Sequence, residues 1–291
     1  MKIAVFGQGH GKAHDEALSQ LLSLLTEGGA EVAIEANYLS QIDHKASNER
    51  HTFDQNEGLD ASFDMLFSIG GDGTILRAMT YIKDLGIPVL GINLGRLGFL
   101  ATVQREAIKE AVDQILEGRY ALEERGLLSI TESSGNTFGD FNFALNEITV
   151  SRKNTTSMII VNTHLNDEYL TSYWADGLII ATPTGSTGYS LSCGGPVIVP
   201  NSNNLVLTPI APHNLNARPL VISDDTVITL KVSGREENHL VSLDSRIFTL
   251  NNETEVHIKK ASFTIKMVQL PNESFLKTLR NKMLWGQDKR N

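Results

Sequence analysis

Asp72 stands among glycines: residues 67–76 run Phe-Ser-Ile-Gly-Gly-Asp-Gly-Thr-Ile-Leu. The apolar run Met65–Ile69 stops at Gly70-Gly71, and a helical pattern starts just after Thr74. Strand, glycine turn and helix aim backbone N–H groups and the positive end of a helix dipole at an anion. Gly70, Gly71 and Gly73 let a phosphate approach the backbone without a Cβ in the way. Thr74 and Arg77, next on the helix, complete the candidate phosphate site. An acid has the wrong charge to hold a phosphate. Asp72 makes chemical sense if it binds a metal that itself binds phosphate, or if it accepts a proton from a hydroxyl attacking phosphorus.

A second group lies further along. The strand Gly177–Ala181 leads into Thr182-Pro-Thr184-Gly-Ser-Thr187-Gly188-Tyr189-Ser-Leu-Ser192, dense in small hydroxyls and glycine. Such a loop suits ribose hydroxyls and phosphates, and Tyr189 is large enough to pack against a base or sugar. Upstream, Asn146-Glu147 interrupts an apolar strand of Phe143, Ala144 and Leu145, then Ile148 and Val150. An adjacent carboxamide and carboxylate can pair with an adenine edge or a sugar diol. Taken alone, Asn146-Glu147 reads equally as an edge-strand bulge, and residues 182–192 as a polar loop capping a helix at Ser186.

Other tempting features fall away. Gly7-Gln-Gly9-His-Gly11-Lys12 has lysine where a dinucleotide fingerprint needs its third glycine. As a P-loop it has too few residues between Gly7 and Gly11-Lys12, and Ala13 replaces the hydroxyl residue. A tight strand-to-helix turn is expected there. The eight histidines lack metal spacing: His10 and His14 sit one helical turn apart without a third ligand. Cys193, the single cysteine, excludes an intramolecular disulfide and reads as a small buried apolar group.

Elements must position the two groups. Residues 1–125 alternate strand and helix: strands at Ile3–Phe6, Val32–Ile34, Met65–Ile69 and Val89–Ile92, helices at Ala17–Leu25, Ile75–Leu85 and Glu106–Gly118, and a polar loop or broken helix over Gln41–Leu59. That alternation predicts a Rossmann-like α/β domain with a parallel sheet. Residues 126–270 read as an all-β sandwich, with short alternating strands at Leu128–Thr131, Phe141–Val150, Ser157–Leu165, Tyr169–Ala175, Val227–Val232, Leu240–Leu243, Val256–Ile258 and Phe263–Val268. Asn166-Asp167 falls where a hairpin turn belongs, with Val161, Thr163 and Leu165 answered by Tyr169, Thr171 and Tyr173. Residues 271–291 form a C-terminal helix returning to the first domain, with Phe275, Leu276, Leu279, Met283 and Trp285 packing on it.

The net charge of −9 and pI near 5.4 argue against nucleic acid or an anionic membrane as partner. At 41% hydrophobic and 20% charged, the 291 residues can bury a sizeable core. The N-terminus reads as a strand rather than a signal peptide, and no apolar run reaches the roughly 18 residues of a spanning helix. A cytoplasmic protein is expected.

The Gly-Gly-Asp-Gly-Thr turn, Gly91-Ile-Asn-Leu-Gly-Arg-Leu-Gly-Phe-Leu, Asn146-Glu147 and Asp176-Gly177 through Tyr189, taken in order over residues 64–220, resemble the NAD kinase family. Ala211-Pro-His-Asn-Leu-Asn-Ala-Arg-Pro-Leu resembles the family's later segment. The first motif is shared with diacylglycerol-type lipid kinases and phosphofructokinases; Asn-Glu with Thr-Pro-Thr-Gly-Ser-Thr is far more specific. The resemblance implies a kinase moving the γ-phosphate of ATP to the 2′-hydroxyl of the adenosine ribose of NAD, with a divalent cation, magnesium or alternatively manganese, bound mainly through substrate phosphates. By position, Asp72 would accept the hydroxyl proton, Gly73 would lie against NAD, and Leu76 and Phe99 would line its pocket. Asn146 and Glu147 would hold the adenine and ribose side, and Asp176 the nicotinamide-side ribose or amide. Thr184, Thr187, Gly188, Tyr189 and Ser192 would complete the adenine-ribose pocket. Ala211 and His213 lie where a neighbouring subunit can close it, since the family forms homodimers and homotetramers. Three places depart from the family's pattern: Trp174-Ala175 before Asp176, Gly188 in place of a common alanine, and Asp244-Ser245-Arg246 in place of an Asp-Gly-Gln-like triplet, to which no role is assigned.

Two rivals remain at this level. A lipid kinase would want a basic or apolar membrane-binding surface, which a chain of charge −9 with no basic amphipathic helix does not offer. A non-catalytic NADP(H)-binding regulator could keep the hydroxyl loop but has no need of Asp72.

Overall fold

The computed structural model describes residues 1–41, 51–133, 135, 137–154, 157–271 and 273–285. The chain divides into two units: Met1–Glu124 with the residues from Ile265 onward, and Arg125–Thr264.

The first unit runs β1 (Lys2–Gly7), α1 (Lys12–Glu27), β2 (Glu31–Glu35), α2 (Ala36–Gln41), β3 (His51–Phe53), β4 (Met65–Ile69), α3 (Asp72–Ile82), β5 (Val89–Asn93), β6 (Val103–Gln104) and α4 (Ile108–Leu116). Its strands are parallel, in the order β3-β2-β1-β4-β5 with β6 beyond β5. Every residue of β4 and β5 is buried, as befits strands covered on both faces. Leu18, Leu21, Leu22 and Leu25 of α1 pack on the sheet with Ile108, Val112 and Ile115 of α4. Strand register brings two glycine turns together: Gly7 of β1 pairs with Ile69 of β4, so both turns leave the sheet side by side at its carboxyl edge. That edge is where open α/β sheets bind ligands.

The second unit runs β7 (Ala121–Glu132, entering at Arg125), β8 (Phe143–Ala144), β9 (Glu147–Arg152), β10 (Ile159–Leu165), β11 (Glu168–Ala175), β12 (Gly177–Ala181), α5 (Tyr189–Ser192), β13 (Asn204–Ile210), β14 (Leu220–Ser223), β15 (Ile228–Ser233), β16 (Asn238–Leu243), β17 (Arg246–Asn251) and β18 (Glu255–Gln269). One layer is antiparallel in the order β14-β13-β12-β9-β16-β17; the other holds β11-β10-β15-β18, with β7 beside β18 and β8 beside β7. Alternate side chains from both layers, among them Val150, Leu178, Leu207 and Val241 against Val161, Leu230 and Val256, fill the sandwich core. From Ile265, β18 belongs to the first unit, where Met267 pairs with Val89; α6 (Phe275–Met283) comes after it, its Ser274 cap accepting from the Lys277 N–H.

Several expectations need correction. The helix expected over Ile75–Leu85 is α3, which runs from Asp72, after its cap Gly71, to Ile82. A strand, β3, occupies part of the expected loop over Gln41–Leu59, paired to β2 with Phe53 buried; residues 42–50 of that stretch lie outside the described ones. The stretch Phe141–Val150 breaks at 145–146 instead of running through. Val256–Ile258 and Phe263–Val268 are one strand, and β13, β14 and β17 were not anticipated. Thr163 faces Thr171 and Val161 faces Tyr173, but Leu165 faces Glu168, because a bulge after Thr163 shifts the register. His10 precedes α1, so it is not a helical turn from His14, whose Nδ1 lies 3.2 Å from the Tyr38 hydroxyl. Leu279 is buried as expected, but Leu276 and Trp285 are 57% and 53% exposed, so they do not pack on the unit to which α6 belongs.

Candidate active site

The Asp72 group lies wholly in the first unit. Because α3 starts at residue 72, the carboxylate sits in its first turn, and Gly71 supplies no side-chain cap to the helix's leading N–H groups. Gly71, Gly73 and Arg77 are exposed and Thr74 is buried. The Asp72 carboxylate is half-buried and held by backbone: Phe99 N–H donates to Oδ2 at 2.8 Å, and Leu100 and Ala101 N–H donate to Oδ1 at 3.0 and 2.9 Å. Three of about four lone-pair positions are thereby filled. Gly98 makes room for this, since a Cβ there would lie 1.9 Å from Oδ1. Leu76 and Phe99 are half-buried. The Phe99 ring lies 6.1 Å from that of Phe275, with Lys282 Nζ 4.9 Å from its centre. Asp72 and Phe99, 27 positions apart in sequence, are thus brought into direct contact.

The second group lies wholly in the second unit. The break between β8 and β9 places Asn146 and Glu147 against the hydroxyl loop. Thr182 closes the loop onto the break: its N–H donates to Asn146 C=O at 2.9 Å and its hydroxyl to Leu145 C=O at 2.6 Å. Inside the loop, the Gly185 N–H donates to the Thr182 hydroxyl, Ser186 to Pro183 C=O and Thr187 to Thr184 C=O. The hydroxyls expected to face a ligand therefore include several that tie the loop to itself. Ser186, the expected helix cap, instead lies inside a short 3-10 turn, Gly185–Thr187, ahead of α5. Tyr189 is 46% exposed.

Two buried atoms here, Asn146 Oδ1 and Glu147 Oε2, have no hydrogen-bond partner within the protein. Burial, reinforced by the nearby Asp244 carboxylate, raises the Glu147 pKa from its usual value near 4.5 to about 8, against the pull of the Tyr189 N–H. Gly188 approaches closely enough that a Cβ would sit 3.0 Å from Glu147 Oε2. Asp176 pairs with Arg152 at 2.9 Å and interacts electrostatically with Tyr189. Ser192, Ala211 and His213 are exposed; Ala211 adopts φ +44, and the His213 N–H donates to Trp174 C=O. Asn146, Glu147, Thr184, Gly188 and Tyr189 converge; Ala211 and His213 lie on the turn after β13, which is tied to the end of β11 by the Asp176 N–H donating to Ile210 C=O and the His213 N–H donating to Trp174 C=O. Cys193, expected to be buried, is only half-buried, packing beside Ile179 and Val206.

Sequence reading missed three contributors. Gly98 carried no turn signal, and its need appears only when Asp72 is placed against it. Arg125 brings a guanidinium nitrogen to 3.4 Å from the Thr184 hydroxyl. Asp244 accepts the N–H groups of Leu145, Asn146 and Glu147.

Comparison with solved structures places this architecture. A yeast NADH kinase complexed with NADH shares the fold at a TM-score of 0.83, with 22% identity over 99% of this chain and 88% of that one. An NAD kinase from Archaeoglobus fulgidus in complex with ATP matches at a TM-score of 0.75 and 27% identity, covering 98% and 99%. The class is that of a two-unit phosphotransferase, a parallel α/β unit joined to an antiparallel sandwich. Family models of the ATP-NAD kinase N-terminal and C-terminal domains match residues 21–120 and 145–270. NAD kinases of Flavobacterium johnsoniae and Flavobacterium psychrophilum are 56% and 58% identical over the full length of both chains. This chain belongs to the NAD kinase family.

Proposed function

We propose that the chain transfers the γ-phosphate of ATP to the 2′-hydroxyl of the adenosine ribose of NAD, giving NADP. The observation that carries the reading is the Asp72 carboxylate, oriented by three backbone N–H groups at the first turn of α3. With one lone-pair position left, it accepts the proton of the attacking hydroxyl. A strong base is unnecessary, because phosphoryl transfer passes through a loose transition state and the hydroxyl acidifies late. The uncapped N–H groups of α3, with Gly70, Gly71, Gly73, Thr74 and Arg77, face the transferred phosphates, and Leu76 and Phe99 line the acceptor pocket.

Asn146 and Glu147 hold the adenine and ribose, which supply partners for their two orphaned oxygens. Thr184, Thr187, Gly188, Tyr189 and Ser192 complete that pocket, and Asp176 takes the nicotinamide side. The divalent cation is carried chiefly by the substrate phosphate oxygens, as suits a hard cation. That cation, magnesium or alternatively manganese, supplies charge neutralisation. Ala211 and His213, exposed on one turn, are where a second subunit completes a homodimer or homotetramer. Among the described residues no helix is long and apolar enough to cross a membrane, and we place the enzyme in the cytoplasm.

The test is direct. Purified protein incubated with Mg·ATP and NAD should form NADP, and EDTA should stop it. Phosphorylation of diacylglycerol but not NAD would favour the lipid-kinase alternative. Tight NADP(H) binding without turnover would make the chain a regulator.

A further inference from the structure

The turn joining β16 to β17 has no part in the proposed function, yet it is tied to the break between β8 and β9 from both sides. Asp244 occupies the first position of this two-residue turn at φ +53, an uncommon conformation for a side chain other than glycine. Its carboxylate is 3% exposed and accepts three successive backbone N–H groups: Leu145 at 2.9 Å, Asn146 at 2.8 Å and Glu147 at 3.2 Å. Its own N–H donates back to Glu147 C=O at 3.0 Å.

Two residues on, Arg246 reaches the other side of the break. It donates to Phe141 C=O at 2.6 Å and to Phe143 C=O, and its guanidinium lies 5.2 Å from the centre of the Phe143 ring. A carboxylate thus takes the donors of 145–147 while a guanidinium takes the acceptors of 141 and 143. The nearest charged atoms of the two lie 4.0 Å apart. Without these partners the N–H groups of a strand break would be left unpaired. Neither Asp244 nor Arg246 needs to touch substrate to matter, because Asn146 and Glu147 carry the two orphaned oxygens.

We propose that Asp244 and Arg246 are positioning residues: a clamp that fixes the backbone at 145–147 so that the Asn146 and Glu147 side chains meet the dinucleotide in one orientation. The inference rests on the acceptor-site reading of the proposed function. It differs from a general stabilising role in what it affects. A clamp on an acceptor pocket acts on the KM for NAD and leaves the ATP side alone.

The test uses the full chain carrying Asp244→Asn, which keeps one acceptor oxygen but turns a donor toward the strand, and Arg246→Lys, which keeps the charge but loses the two-pronged grip. Val161→Ala, a core truncation on β10, serves as a variant of comparable melting-temperature loss. For Asp244→Asn the KM for NAD should rise about ten-fold or more, with kcat and the ATP KM within about two-fold; Arg246→Lys should show a smaller rise of the same kind. Amide hydrogen exchange at 145–147 should accelerate in both clamp variants and stay slow in Val161→Ala.

Unchanged KM for NAD with exchange still slow at 145–147 would overturn the clamp, as would an equal KM rise in Val161→Ala. If the parent chain makes no NADP, the proposed function fails instead. The clamp is then judged on NAD affinity by calorimetry: undiminished affinity in both clamp variants sinks it, and a ten-fold loss with faster exchange sustains it.

Discussion

The two acids at the heart of this molecule are treated in opposite ways. Asp72 has its carboxylate met by three backbone N–H groups. Glu147 is also half-buried, but its Oε2 is buried and unpartnered with a second carboxylate close by. Backbone donors fix an oxygen's direction, which suits a group that must meet a reacting proton at one angle. An orphaned, buried oxygen is costly by itself and gains a partner when ligand arrives. Under the proposed function the first arrangement is assigned to chemistry and the second to binding, and substitutions should separate the two kinetically.

The largest effect is expected at Asp72. Asp72→Asn keeps the shape but removes the carboxylate, and kcat should fall roughly 10²–10⁴-fold with little change in NAD affinity. Near-normal turnover would reduce Asp72 to a turn residue and erase the contrast. Asn146→Ala should do the reverse. It leaves a ligand group unpaired at a cost of about 1–3 kcal/mol, so the KM for NAD should rise roughly ten- to hundred-fold while the ATP KM holds. A bulge with no ligand role predicts a lower melting temperature and both KM values unchanged.

Gly185→Ala probes how tightly the loop is seated on the break, because its Cβ would fall 2.0 Å from Asn146 C=O, a backbone atom that cannot swing aside. Overpacking of this kind costs about 1–3 kcal/mol. The melting temperature should drop and NAD binding should weaken with it; a variant as stable as the parent would show that the loop can lift off residue 146.

A pH dependence is expected at Glu147. With a folded pKa of about 8 against an ordinary 4.5, the folded state keeps a proton that the unfolded state releases between those values. Stability at this site is therefore fully present below about pH 4.5 and is lost as pH rises toward 8. Glu147→Gln cannot ionise, so its melting temperature relative to the parent should climb across that window. A difference that stays flat from pH 5 to 8 would show that Glu147 is already charged.

Much of the fold and site was legible in the chain. Met65–Ile69 as a strand, the Gly-Asp-Gly turn after it and Asn166-Asp167 as a hairpin came from periodicity and turn chemistry. Both Asn166 and Asp167 adopt positive φ, as a tight hairpin turn requires. The strands at 204–210 and 220–223 were not legible. The first is a nearly continuous apolar run without alternation and the second is short and half-exposed, so their identity comes from pairing with neighbours rather than from propensity.

By itself, then, the sequence determined which residue types stand at the turn, the break and the hydroxyl loop, because glycine, carboxylate and carboxamide at those spacings are local chemistry. Tertiary structure alone decided what each one meets. Phe99–Ala101 come to Asp72 across 27 to 29 residues, and Asp244 comes to 145–147 across almost a hundred. No local pattern encodes a backbone N–H as the partner of a distant carboxylate, since every residue but proline offers the same N–H and only the fold chooses which three converge.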